Sequence, residues 1–112
     1  MLKKINRLKK RYQFSYVYKY GEHVSGNYTV LYFTSSKTKT IKVGLAVTKK
    51  VGHAVVRNKI RRRLREVVKN HLPNLKQNYN IIVVAKDNIA YFGIEIINLN
   101  TFFIFNKFGL FC

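Results

Sequence analysis

The apolar positions come in two periods. Over residues 10–20, Phe14, Val17 and Tyr18 fall at i, i+3 and i+4, which predicts a short helix ended by a left-handed Gly21. Residues 27–34 alternate instead, with Tyr28, Val30 and Tyr32 on one face and Thr29, Leu31 and Phe33 on the other. That is strand patterning in β-branched and aromatic residues. After turn-forming residues 35–40, residues 41–47 set Val43, Leu45 and Val47 against Gly44 and Ala46. The two strands are expected to form a hairpin, and the small face of the second to admit a closely packed helix.

The helical period returns after Gly52, which permits a sharp turn, and it holds from about Ala54 to Leu72, where Pro73 stops it. At 100° per residue Val56, Ile60, Leu64, Val67 and Val68 share one side, with Asn58, Arg61, Arg62, Arg65 and Lys69 opposite. Arg57 sits at the border, and Arg63 lies beside the apolar stripe, where its guanidinium must snorkel outward. Residues 81–85, IIVVA, are apolar throughout, which suits a strand buried on both faces. Strand, basic helix and strand in succession make a β-α-β unit.

Charge changes the picture from a small α+β domain to a polyanion binder. The 112 residues, enough for one domain, carry 22 Lys and Arg against 4 Asp and Glu, a formal charge of +18. Nine of those bases and one acid lie between Lys49 and Lys69. A solvated helix face normally mixes signs so that i, i+4 pairs support it. Here Glu66 is the single acid available, so the helix repels itself until an anionic polymer neutralises it. Arginine suits phosphate, because its planar fork bonds oxygens bidentately and stacks on bases. The 47% hydrophobic content excludes a disordered basic tail.

Other chemistry is poorly supplied. The one cysteine, Cys112, allows no internal disulfide and no cysteine-based zinc site, which fits a reducing, cytoplasmic setting. His23, His53 and His71 lack partners at catalytic spacing, and three acids in the first 88 residues do not make a carboxylate-held two-metal nuclease centre. The basic start, residues 1–11, lacks a transit peptide's serines and a signal peptide's apolar run. Residues 89–112 hold one acid and one base, but their asparagines break up any membrane-spanning length. Phe14, Tyr18, Val30 and Tyr32 could stack the bases of an unpaired strand between the first helix and the sheet; on composition alone they read first as core.

NRLKK at residues 6–10, VLYF at 30–33, KVGLAVTKKVG at 42–52 and VVRNKIRRRLRE at 55–66 stand in an order and spacing that resembles the protein subunit of bacterial ribonuclease P. The resemblance spans about residues 3–88, including IIVVA and the following Lys86. It implies an α+β, two-layer domain of α-β-β-β-α-β-α order, with a first short strand near residues 23–25 and a four-stranded mixed sheet. The β-α-β crossover would be left-handed, against the usual rule. It further implies a subunit with no catalytic side chain, paired with an RNA that uses magnesium to cut precursor tRNA at the mature 5′ end. By the same resemblance Lys49, Lys50, Arg57, Asn58, Lys59, Arg61, Arg62, Arg65 and Lys69 bind that RNA. Phe14, Tyr18, Val30, Tyr32 and Lys86 hold the single-stranded 5′ leader, which reverses the preference for core. No membrane and no obligate protein partner are implied.

Two departures stand out. Arg63 replaces a usually apolar residue, and residues 91–112 keep only Lys107, Gly109 and Leu110 of the lysine-bearing third helix that the family expects. A ribosomal-type structural RNA-binding protein with a similar sheet and basic helix is the main alternative, and an architectural DNA-binding protein the next.

Overall fold

Seven short elements appear in a computed structural model, described for residues 7–26, 29–36, 40–71 and 78–86. In order they are α1 (Arg11–Tyr20), β1 (Glu22–Ser25), β2 (Thr29–Ser35), β3 (Lys42–Ala46), a 3-10 turn (Lys49–Val51), α2 (Ala54–His71) and β4 (Tyr79–Ala85). Tyr28, Pro73 and the 91–112 segment, with its expected third helix, lie outside the described residues.

The sheet runs β1-β2-β4-β3, with β4 antiparallel to β2 and parallel to β3. The expected hairpin of β2 with β3 is therefore not formed, because β4 lies between them. The reason is legible in β4 itself. Ile81, Ile82 and Val83 are all buried, so this strand needs cover on both faces and takes the interior of the sheet. β2 and β3 then flank it, with Val43, Ile81 and Phe33 in one cross-strand row and Gly44, Ile82 and Tyr32 in the next.

Those rows point to opposite faces, and each face has its own helix. Ile60, Leu64, Val67 and Val68 of α2 pack with Leu31, Phe33, Val43, Ile81 and Val83. Val17 of α1 packs with Leu8 and Ile82, joined by Phe14, Tyr32, Ala46 and Val84. A helix thus lies on each side of the four-stranded mixed sheet. The cause is again β4, whose even and odd positions are both apolar.

The small face of β3 is filled from α1, as its composition predicts. A Cβ on Gly44 would stand 2.5 Å from Phe14 Cζ, so the ring rests directly on the β3 backbone. Gly21 serves a different purpose from the left-handed stop expected of it. Its backbone is extended (φ −80°, ψ 161°), and its N–H donates to the Val17 carbonyl. Glycine is required there by crowding: a Cβ would lie 2.5 Å from the Val17 oxygen and 2.7 Å from the Phe33 oxygen. Backbone atoms cannot swing aside as a side chain can. Gly21→Ala is therefore expected to destabilise the fold by about 1–3 kcal/mol, read from the urea midpoint at unchanged slope. A midpoint equal to wild type would show that α1 and β2 can separate freely.

At the start of α1 the Gln13 Oε1 accepts the backbone N–H groups of Lys9 and Lys10, at 3.2 and 3.1 Å. This is half of a capping box; the Lys10 ammonium only donates and cannot supply the reciprocal half. Just before, Leu8 donates its N–H to the Val43 carbonyl and Arg7 bridges Val43, so the N-terminal segment lies along the β3 edge.

Candidate nucleic-acid interface

The turn that aims the arginine helix is specified locally. Gly52 has φ 157° and ψ −170°, a conformation open to glycine, and its N–H closes onto the Lys49 carbonyl. Lys49 and Lys50 are exposed on that turn while Val51 is buried beneath it. The chain then enters α2 with the His53 carbonyl accepting the Arg57 N–H.

Along α2 the wheel holds. Ile60, Leu64, Val67 and Val68 are buried and Val56 is half-buried. Asn58, Lys59, Arg62 and Lys69 are exposed, while Arg57, Arg61, Arg63 and Arg65 are half-buried. Arg61 Nη1 donates to Asn58 Oδ1 at 2.9 Å, which orders one guanidinium on the outer face without neutralising it. The Arg57 Nε is buried, with no hydrogen-bond partner among the described residues. A guanidinium N–H left unsatisfied is costly until an acceptor arrives. Arg62, Arg65 and Lys69 border a shallow hollow with Glu66.

On the other face of the sheet the aromatic residues divide. Tyr18 meets Tyr32 edge-on at 4.9 Å between ring centroids, and Tyr32 stacks on His23 at 5.4 Å and 30°. Val30, half-buried, lies two positions from Tyr32 on the same face of β2. Phe14 is not with them. Its ring sits over Gly44 of β3, on the far side of β4, so Ile82 separates it from the tyrosines. Lys86 follows the last residue of β4 and is half-buried. The Tyr18 hydroxyl is raised above its ordinary pKa, first by burial and then by Tyr32 beside it, so it is a neutral group at physiological pH.

Three features escaped the sequence reading. His23, by sequence an acid–base candidate without a partner, extends the Tyr32 platform. Arg7 and Lys9 join Arg61 and Arg65 around a notch of about 340 Å³ at the β3 edge, floored by Phe14, Leu8 and Leu45. Only the pairing of residue 7 with β3 reveals that proximity, and no local pattern announces it. The third, a row of tyrosines on the outer side of α1, could have been found at i, i+4 and i+8 on the same helical wheel.

Two cationic or aromatic surfaces on opposite faces of a mixed sheet define a small α+β nucleic-acid-binding domain. Comparison with known proteins narrows the class. A sequence profile of the ribonuclease P family matches residues 2–107. The ribonuclease P protein component of Natranaerobius thermophilus is 40% identical over 85 residues, covering 76% of this chain and 74% of its own. That of Streptococcus agalactiae is 30% identical over 109 residues, 97% and 99% of the two chains. The Staphylococcus aureus RNase P protein structure superposes with a TM-score of 0.88 at 30% identity, over 96% of this chain and 98% of its own. The chain belongs to the bacterial ribonuclease P protein family, RNA-binding subunits of a tRNA-processing ribonucleoprotein. The Thermotoga maritima RNase P protein, at 21% identity and a TM-score of 0.83, shares the fold.

Proposed function

We propose that this subunit binds the catalytic RNA of ribonuclease P through the outer face of α2 and holds the 5′ leader of precursor tRNA against the α1 face of the sheet. Hydrolysis of the phosphodiester then falls to the RNA. The observation that carries this reading is the separation of the two surfaces. Arg57, Asn58, Lys59, Arg61, Arg62, Arg65 and Lys69, with Lys49 and Lys50 before them, belong to one face of the sheet, and Tyr18, Val30 and Tyr32 to the other. Two RNA elements can be held at once without competing for the same side chains.

The buried Arg57 Nε, without a hydrogen-bond partner among the described residues, and the nine bases against the one acid Glu66 between Lys49 and Lys69 support the first contact. Magnesium is assigned to the RNA. Among the described residues no helix is long and apolar enough to cross a membrane, and a cytoplasmic ribonucleoprotein is the proposed setting.

Reconstitution tests the whole reading. Mixed with the ribonuclease P RNA at physiological magnesium, the protein is expected to speed leader removal and to favour precursor over mature tRNA. No effect on either would sink the assignment and favour a purely structural RNA-binding role. The leader surface has its own test: Tyr32→Ala removes the ring shared by Tyr18 and His23, and should weaken holoenzyme binding of precursor tRNA by about 1–3 kcal/mol. Mature tRNA should bind unchanged; an equal loss for both would place Tyr32 outside the leader path.

A further inference from the structure

The outer side of α1 carries three large aromatic side chains that neither core uses. Tyr12, Tyr16 and Tyr20 are 67%, 54% and 62% exposed. They lie at i, i+4 and i+8, about 6 Å apart along the axis, and face away from Phe14, Val17 and Tyr18, which hold the helix to the sheet. The row is cationic as well as aromatic. Lys10 Nζ stands 5.9 Å from the Tyr12 ring centroid and Lys19 Nζ 5.2 Å from that of Tyr20. Arg11 and Lys19 line a broad open groove with the three tyrosines and Asn80, and α1 contains no acid.

Exposed tyrosines with cations at their edges suit one kind of occupant. A folded protein would bury these rings against apolar side chains but would have to strip or match the three charges. A second copy of this chain, itself at +18, meets them with repulsion. An unpaired polynucleotide satisfies both features at once, since its bases stack on the rings while its phosphates take the ammonium and guanidinium groups.

We propose that the outer face of α1 is a second track for single-stranded RNA, separate from the Tyr18–Tyr32 surface and independent of the leader assignment. The rings set its geometry. Tyr16 and Tyr20 already lean on one another at 4.8 Å and 46°, so no base inserts between them. Bases lie instead across their outward faces, and the track reads no sequence, because every base offers a π-face.

The test uses the full chain and a fluorescein-labelled oligouridylate of about a dozen nucleotides, with 4-thiouridine for crosslinking. Tyr16→Ala/Tyr20→Ala should weaken binding of the oligonucleotide by about tenfold. Lys19→Gln should lower the salt slope by about one. Irradiation of wild type should place crosslinks on Tyr12, Tyr16 or Tyr20. Both variants change exposed residues, and an unchanged far-ultraviolet circular dichroism spectrum confirms that they fold. Unchanged affinity in the double variant, or crosslinks confined to Tyr18 and Tyr32, overturns the proposal. So does a double variant that loses self-association in sedimentation while binding RNA as before, since the face would then belong to a second copy. Tyr32→Ala runs alongside: its failure would remove the leader reading and leave this one standing.

Discussion

Replacing Arg61, Arg62 and Arg65 together by glutamine is expected to cut affinity for the ribonuclease P RNA by about a hundredfold or more near physiological salt. The salt slope should fall by about two to three, roughly one per lost phosphate contact. Glutamine keeps helix propensity close to that of arginine, so the comparison isolates charge. None of the three is in the core formed by Ile60, Leu64, Val67 and Val68. The free protein should unfold at an equal or higher urea concentration, because like charges on successive turns are removed. Filter binding across a salt series measures the first effect and equilibrium unfolding the second. An affinity loss with an unchanged slope would mean that the arginines shape α2 and do not meet phosphates.

The second large effect concerns the same helix from its other side. Leu64 is completely buried and stands midway along the apolar stripe of α2, over the row of Val43, Ile81 and Phe33. Leu64→Ala removes three buried carbons and leaves a cavity between two rigid elements, at an expected cost of about 2–5 kcal/mol. In a domain this small such a loss is a large share of the total stability. Urea unfolding should show it directly, and RNA affinity should fall in parallel at temperatures where the variant is partly unfolded. A loss below about 1 kcal/mol would indicate that α2 resettles onto the sheet, and that the helix is less firmly seated than its burial implies.

Period and composition disclosed the elements because each is driven by its own side chains. The 3.6-residue repeat of Ile60, Leu64, Val67 and Val68 and the alternation of Leu31 and Phe33 with Val30 and Tyr32 needed no tertiary information. Order in the sheet was harder. Adjacency in sequence suggested that β2 pairs with β3, and the apolar run of β4 outweighed it, since an interior position buries both of its faces. Gly21 was legible as a boundary but not as a contact, because the Phe33 carbonyl that excludes a side chain there is twelve residues away. At the candidate site the arginine face was plain from the wheel alone. The separation of Phe14 from Tyr18 and Tyr32 depends on which strands lie beneath α1, and helical spacing carries no record of that. The notch shared by Arg7, Arg61 and Arg65 brings residues 54 and more apart in sequence to one edge.

With one helix on each side, the sheet acts as a caliper. On the proposed assignment the distance between the two bound RNAs is set by the thickness of packed side chains, about 10 Å on each side of the β layer. Interiors packed at crystal-like density barely compress, so this gauge is stiff. Substitutions such as Val83→Ala or Ile82→Val, which touch neither RNA, would then shift where the leader is presented relative to the cleaving RNA. Their signature would be displaced cleavage or slower turnover at unaltered affinity for either RNA.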